Sequence, residues 1–273
     1  MVMGFSENIQ NSMEYANHAF KSFGSWFVLI LLYAVMFAGT VMLILGTIFM
    51  LATLLAVMTP AFSSAVDSAM MTGSMMTDPA FAILTSVSIV LFILGTIVTI
   101  LAGIFIYGFM MRVYRGGELS LNNWGKMFVE GILAMIILFI YMIPYIVIST
   151  LVALGPMDNM AYLIIVGMII PIIILIISIM VGMMGVIKFA KEEKFGAAFH
   201  VKELFSLIAN IGWLRYLGYW ILLGLIVSVA ELVLLCIPFA GCILLVAAMP
   251  FIMIVTARFF ANLYDSALPA VTE

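Results

Sequence analysis

The chain has 273 residues and a net charge of −3; 67% of it is hydrophobic, only 8% is charged, and the mean hydropathy is +1.34. Water-soluble domains carry about 25% charged residues, so there are too few ionic groups here for a surface facing water, and the lipid bilayer is the expected surroundings. The ten cations are dispersed and offer no footprint for nucleic acid, and two cysteines, Cys236 and Cys242, are too few for a disulfide framework.

At the N-terminus, Phe5, Ile9, Met13, Ala16, Phe20 and Phe23 form a narrow stripe on a helical wheel, with Asn8, Asn11, Tyr15 and His18 off it. That pattern predicts an amphipathic helix lying at the membrane surface. The apolar run that follows is far longer than the roughly 7–15 residues of a signal-peptide core, so it is expected to be kept as a span. A spanning helix needs about 20 apolar residues. Six stretches meet this, at about 26–58, 81–111, 132–154, 161–187, 213–237 and 241–262. The first two are longer than hydrocarbon about 30 Å thick requires, and are expected to tilt or project beyond it. Gly39 and Gly46 in the first, and Gly95 and Ala102 in the second, recur at a spacing that puts each pair on one face, where backbones can approach closely. Glycine scattered through a low-complexity helix is the alternative.

Between these two spans the segment SAMMTGSMM holds Met70, Met71, Met75 and Met76. Thioethers are soft ligands suited to Cu(I), which makes this group a candidate metal cluster. The competing reading is that a chain with 24 methionines produces clusters unaided, since Met packs adaptably on apolar surfaces. No other metal site and no cofactor site is expected.

Arg112 and Arg115 close the second span, and Gly116 and Gly117 break the helix. Ser120 is the expected N-cap of a short new helix in which Trp124, Met127, Phe128 and Gly131 share one face. This reads as a second interfacial helix, set off from the third span. Pro144, Pro171 and Pro250 fall inside the third, fourth and sixth spans. The fourth holds sixteen Ile, Leu or Val residues between Ala161 and Ile187. At about −0.3 to −0.6 kcal/mol each, these favour insertion by roughly 5–10 kcal/mol, more than the ~3 kcal/mol of an interior proline. Kinks are expected, not breaks. A third surface helix precedes the fifth span, with Phe195, Ala198, Phe199, Phe205 and Ile208 apolar and Lys202 and Glu203 outside that face.

The fold class is therefore all-α and polytopic: six transmembrane helices as three tandem hairpins, each preceded by a cytoplasmic interfacial helix. Residues 1–117, 118–193 and 194–273 are candidate repeats, closing on Arg112-Val-Tyr, Lys188-Phe-Ala and Arg258-Phe-Phe. A topology rule alone would also generate such ends. All ten Lys and Arg lie in one alternating set of connecting segments, while about 59–80, 155–160 and 238–240 hold only Asp67, Asp78 and Asp158. By the positive-inside rule both termini are cytoplasmic and the protein lies in the cell membrane. Arg112, Arg115, Trp124, Lys188, Lys191, Trp213, Arg215 and Arg258 are expected as interfacial anchors.

The stretches RVYRGGELSLNNWGKMFVEGILAMIILFIYMIP, FGAAFHVKELFSLIANIGWLRYLGYWILLGLI and PFIMIVTARFFANLY resemble a prokaryotic, mainly archaeal, family of integral membrane proteins, the domain of unknown function 4013. The likeness spans about residues 100–264 and implies a multi-helix membrane protein. It carries over no activity and no catalytic residue.

The chain holds no G-x-x-x-x-G-K-[ST], H-E-x-x-H or G-x-S-x-G motif, and no aspartate within a span, so an enzyme is not expected. Its histidines, His18 and His200, sit on the surface helices. Glu231 is the one clear intramembrane charge. Such a residue either serves conduction, proton coupling or helix adhesion, or is a carboxyl tolerated near the interface. Cys236 and Cys242 flank a tight turn, either as small packing residues or as a disulfide. The first expectation for function is a non-enzymatic scaffold or subunit of a membrane assembly, with a homo-oligomer or another membrane protein as partner. The alternative is a transporter or channel for a small apolar, lipidic or ionic substrate.

Overall fold

The computed structural model describes residues 3–19, 23–58, 79–116, 121–155, 164–238 and 240–268, together with 119 and 162. In hydrocarbon the backbone N–H and C=O groups find no water, and an apolar chain satisfies them inside helices. The helices are α1 Phe5–Ala19, α2 Phe23–Met58, α3 Pro79–Arg115, α4 Trp124–Ala153, α5 Ile170–Glu192, α6 Val201–Ile211, α7 Trp213–Leu235 and α8 Gly241–Ala267. No strand occurs among the described residues. Six of these helices are long and apolar enough to cross a membrane, α5 together with the π turn Ile165–Ile169 before it. The protein is an all-helical, multi-pass membrane protein. Met70, Met71, Met75, Met76, Gly117 and Ser120 lie outside the described residues.

Local chemistry explains the joints. Gly116 terminates α3 at φ +79°, and Gly212 separates α6 from α7 at φ +93°, values that suit a residue without Cβ. Pro171 lacks an N–H and crowds the carbonyl four residues back. The turn before it widens into the π form, while α4 and α8 run on through Pro144 and Pro250. Glu193 ends α5 in the left-handed region, φ 53°, and returns its N–H to Phe189 O at 2.9 Å.

The chain divides into two compact units. The smaller one, residues 31–103, holds the apolar lengths of α2 and α3. Their facing glycines allow backbone-to-backbone packing: a Cβ added at Gly46 would meet Phe92 N at 2.6 Å, and one at Gly95 would meet Leu43 N at 2.5 Å. The hydroxyls of Thr40, Thr47 and Thr96 turn back to carbonyls four residues earlier, at 2.7–2.9 Å, so they need no partner across the membrane.

The larger unit comprises residues 1–30 and 104–273. Its core lies toward the end that carries Arg115, Lys126, Lys188 and Arg258, here termed the basic end. Met127, Ala134 and Ile137 of α4, Met184 and Ile187 of α5, Leu204 and Ile208 of α6, Tyr216 of α7 and Ile254 and Phe259 of α8 are all fully enclosed. The opposite halves of α4, α5 and α7 present exposed Ile, Leu and Val.

Two surface-helix expectations change on contact with this core. Residues 124–131 are not set off from the third span: they are its first turns, in one helix from Trp124 to Ala153. The face carrying Met127 and Gly131 packs on residues 104–108, where glycines at 108 and 131 bring the backbones together. In α1 the buried line is Asn8, Ser12 and Ala16, with Met13 outside at 45% exposure. Asn8 donates to Phe259 O at 3.0 Å and accepts from Asn262 Nδ2 at 3.1 Å, docking α1 on α8 through polar groups.

Candidate functional site

Five helices of the larger unit leave a cavity of about 470 Å³ among them, partly open to the surroundings. Each wall is one helical face. Tyr107, Met110 and Tyr114 come from the end of α3, Leu138 and Met142 from α4, and Ser178, Ile179, Met183 and Val186 from α5. Opposite them stand Trp220, Leu223, Gly224 and Val227 of α7, and Thr256 and Phe260 of α8. The size falls within the ~300–1,000 Å³ of small-molecule sites, which are likewise mostly apolar with a few polar groups.

Those few are identifiable. The Tyr114 hydroxyl donates to Met183 Sδ at 3.6 Å, a weak acceptor. The buried Trp220 indole N–H interacts with the Tyr216 hydroxyl one turn earlier but makes no well-formed hydrogen bond. That hydroxyl is committed to Met180 O at 3.2 Å. On a cavity wall, the indole N–H is a group that an oxygen-bearing ligand can satisfy. Gly224 adds room, since a Cβ there would meet nothing within 4 Å.

Glu231 lies on the same helix, one turn beyond the last α7 residue of this lining. Along α7 the less exposed positions include Tyr216, Trp220, Leu223, Val227 and Glu231, spaced by three or four, with Leu217, Tyr219 and Leu234 beside them, while Leu222, Leu225, Ile226, Val229, Leu232 and Val233 face outward. Glu231 therefore continues the stripe that lines the cavity, one turn beyond Val227 and away from the basic end. Among the described residues no hydrogen bond or ion pair engages it.

A family model described as "Protein of unknown function (DUF4013)" matches residues 91–239, more than half of the chain. The chain belongs to the DUF4013 family. No curated protein and no solved structure matches it. The DUF4013 match takes in every cavity residue except Thr256 and Phe260, and also Glu231.

The cationic side chains nominated as anchors form a second assembly, at the basic end. Within the DUF4013 match, Arg115 grips Glu130 in a bidentate pair at 2.6 and 3.2 Å, reaches Glu193 at 3.2 Å and donates to Ala190 O at 2.7 Å. Glu130 is only 6% exposed. Lys126 adds contacts to Glu193 at 3.1 Å and Glu130 at 3.6 Å. Lys188, 3% exposed, pairs with Glu203 of α6 and with Glu192 at 3.6 Å. Hydrogen bonds from Lys126 and Lys188, reinforced by the neighbouring positive charge, hold the carboxyls of Glu193 and Glu203 below the ordinary carboxylate range. Arg112 donates to the Asn122 and Asn123 carbonyls and organises the turn into α4.

The remaining anchors are distributed around this end. Lys191 pairs with Asp265 at 2.7 Å and stands over the Tyr264 ring. Arg258, beyond the DUF4013 match, lies against Gly116 with its guanidinium 4.7 Å above the Tyr15 ring. Trp124 is half-exposed and touches Phe105 edge-on, Trp213 packs on Phe205 at 5.3 Å, and Arg215 is exposed. At the opposite end Cys236 and Cys242 are free thiols, both exposed.

Sequence reasoning singled out Glu231 but missed the cavity residues around it. The Trp220, Leu223, Gly224 and Val227 spacing was the available signal, and it is the same spacing that a filled helix–helix contact produces.

Proposed function

We propose that the protein is a non-enzymatic membrane binding protein that takes an apolar or lipidic molecule into the cavity between α3, α4, α5, α7 and α8. The observation that carries this reading is the cavity itself: about 470 Å³ of apolar, aromatic and methionine-lined space, partly open, among five helices of the larger unit. Lipid tails are as apolar as leucine, so burial of hydrocarbon supplies little net affinity within a bilayer. Selectivity then rests on shape and on the Trp220 and Tyr114 polar groups. By the positive-inside rule the basic end faces the cytoplasm.

Gly224→Leu tests this directly, because a Cβ at this lining position meets nothing within 4 Å and the added bulk takes up cavity space. Native mass spectrometry of the full chain, extracted gently, is expected to show a bound small molecule in the wild type and none in the variant. Identical bound masses in both would remove the reading.

Assembly is the second reading, and α2 and α3 favour it. Their mutual face closes on glycine, while Ile44, Leu51, Ile93 and Ile97 stay exposed along the rest. A monomeric mass with no companion protein after gentle extraction would count against it.

A further inference from the structure

We infer that the cavity ligand is a lipophilic cation whose ammonium-type head is held by Glu231 while its hydrocarbon body occupies the apolar space. The inference rests on the ligand-binding reading above and names the chemical class that fits it. Glu231 follows Val227 by four residues, so it stands about 6 Å further along α7 and within about 40° of the same face. Side chains in a helix lean toward its N-terminus and cover the turn before their own Cα. The carboxyl therefore leans back over the turn of Val227, the cavity's last residue on this helix.

Charge supplies the second half of the argument. A carboxylate deep in a span is costly unless it is paired or reaches water. Among the described residues no cationic side chain lies on the Glu231 side of the membrane core. The described cations are at the basic end, and Arg115, Lys126, Lys188 and Lys191 are already paired there. A positive group brought by the ligand is the complement the protein does not itself provide. No basic side chain lines the space to repel one.

The test uses the full chain in nanodiscs of zwitterionic lipid and two probes, a dansyl-tagged decylammonium and its uncharged N-acetyl analogue. Tryptophan-to-dansyl energy transfer is read as the excess over empty discs. The ammonium is expected to bind about tenfold or more tighter than the neutral analogue, a difference of one decade in Kd. Glu231→Gln should erase that difference while leaving the neutral probe within about twofold, which also shows that the variant is folded. Gly224→Leu should weaken both probes. Equal binding of the two probes by the wild type, with both lost in Gly224→Leu, overturns the cation assignment and leaves the cavity reading standing. Loss of both probes alike in Glu231→Gln overturns the assignment too. Failure of both probes to bind, or binding that ignores Gly224→Leu, overturns the cavity reading itself.

Discussion

The pairing of α2 with α3 makes a sharp quantitative prediction through two glycines of one helix. A Cβ at Gly95 would meet Leu43 N at 2.5 Å and Gly39 O at 2.8 Å, whereas one at Gly103 would meet nothing within 4 Å. Ordinary contact begins at 3.4 Å, so the shortfall at Leu43 N is 3.4 less 2.5, or 0.9 Å. Both obstructing atoms belong to the backbone and cannot rotate aside, so in Gly95→Ala the helices must part by about that distance. A gap of roughly 0.5–1 Å forfeits a quarter to a half of each dispersion contact. Overpacking of this kind costs about 1–3 kcal/mol. Alanine returns up to about 1 kcal/mol of helix propensity at either site. The net expectation is a loss of about 1–2 kcal/mol for Gly95→Ala, and none for Gly103→Ala. A loss of that size raises the open population roughly 5- to 30-fold. Hydrogen–deuterium exchange on α2 peptides spanning Gly39 and Gly46, in the full chain, reads it locally. If Gly95→Ala exchanges no faster than Gly103→Ala, the close-packing argument is wrong.

Three further outcomes follow from the basic end and its opposite. Glu130→Gln removes the anionic partner of a largely buried guanidinium that keeps Glu193 and Ala190 O; a loss of about 2–3 kcal/mol is expected, or roughly 5–10 °C in the thermal midpoint in mild detergent, and an unchanged midpoint would refute the pairing's importance. Glu193 and Glu203 are held below the ordinary value of 4.5 in the folded state, so the stability they contribute is present above that value and is lost as pH falls below it. The double variant Glu193→Gln, Glu203→Gln should therefore show a shallower fall in thermal midpoint between about pH 5 and about pH 3 than the wild type; superimposable profiles would exclude these carboxyls. For topology, an impermeant maleimide added to intact cells should label the wild type through Cys236 and Cys242, but not a cysteine placed at Lys191 in a chain lacking both. Labelling at position 191 would reverse the orientation.

How much of this was legible without coordinates depends on the range of the interactions. The six spans are written in local composition, because hydrocarbon tolerates few polar groups over about 20 residues. Gly39, Gly46 and Gly95 were readable as a close-approach face because their spacing is local too. Asn8 was not: an asparagine off an apolar stripe looks solvated, and only Asn262, far along the chain, makes it a buried joint. Glu130 likewise carries no local sign of burial, since its partner Arg115 stands fifteen residues earlier, on another helix. The break expected between residues 131 and 132 did not occur, since Gly131 and Met127 are core against residues 104–108 and no surface is left for a separate helix. A cavity is the hardest case, for its walls carry the same residues at the same spacing as a filled interface.

Stiffness is unevenly shared along this molecule. Every ion pair among the described residues gathers at one rim, and the shafts of α4, α5 and α7 rise from it with little ionic bracing. A body so braced is stiffest at that rim, like forceps riveted at the handle. Seventeen residues of helix make a lever about 25 Å long, and swinging it about 10° carries its tip about 4 Å, the girth of one alkyl chain, without disturbing a single clasp at the rivet.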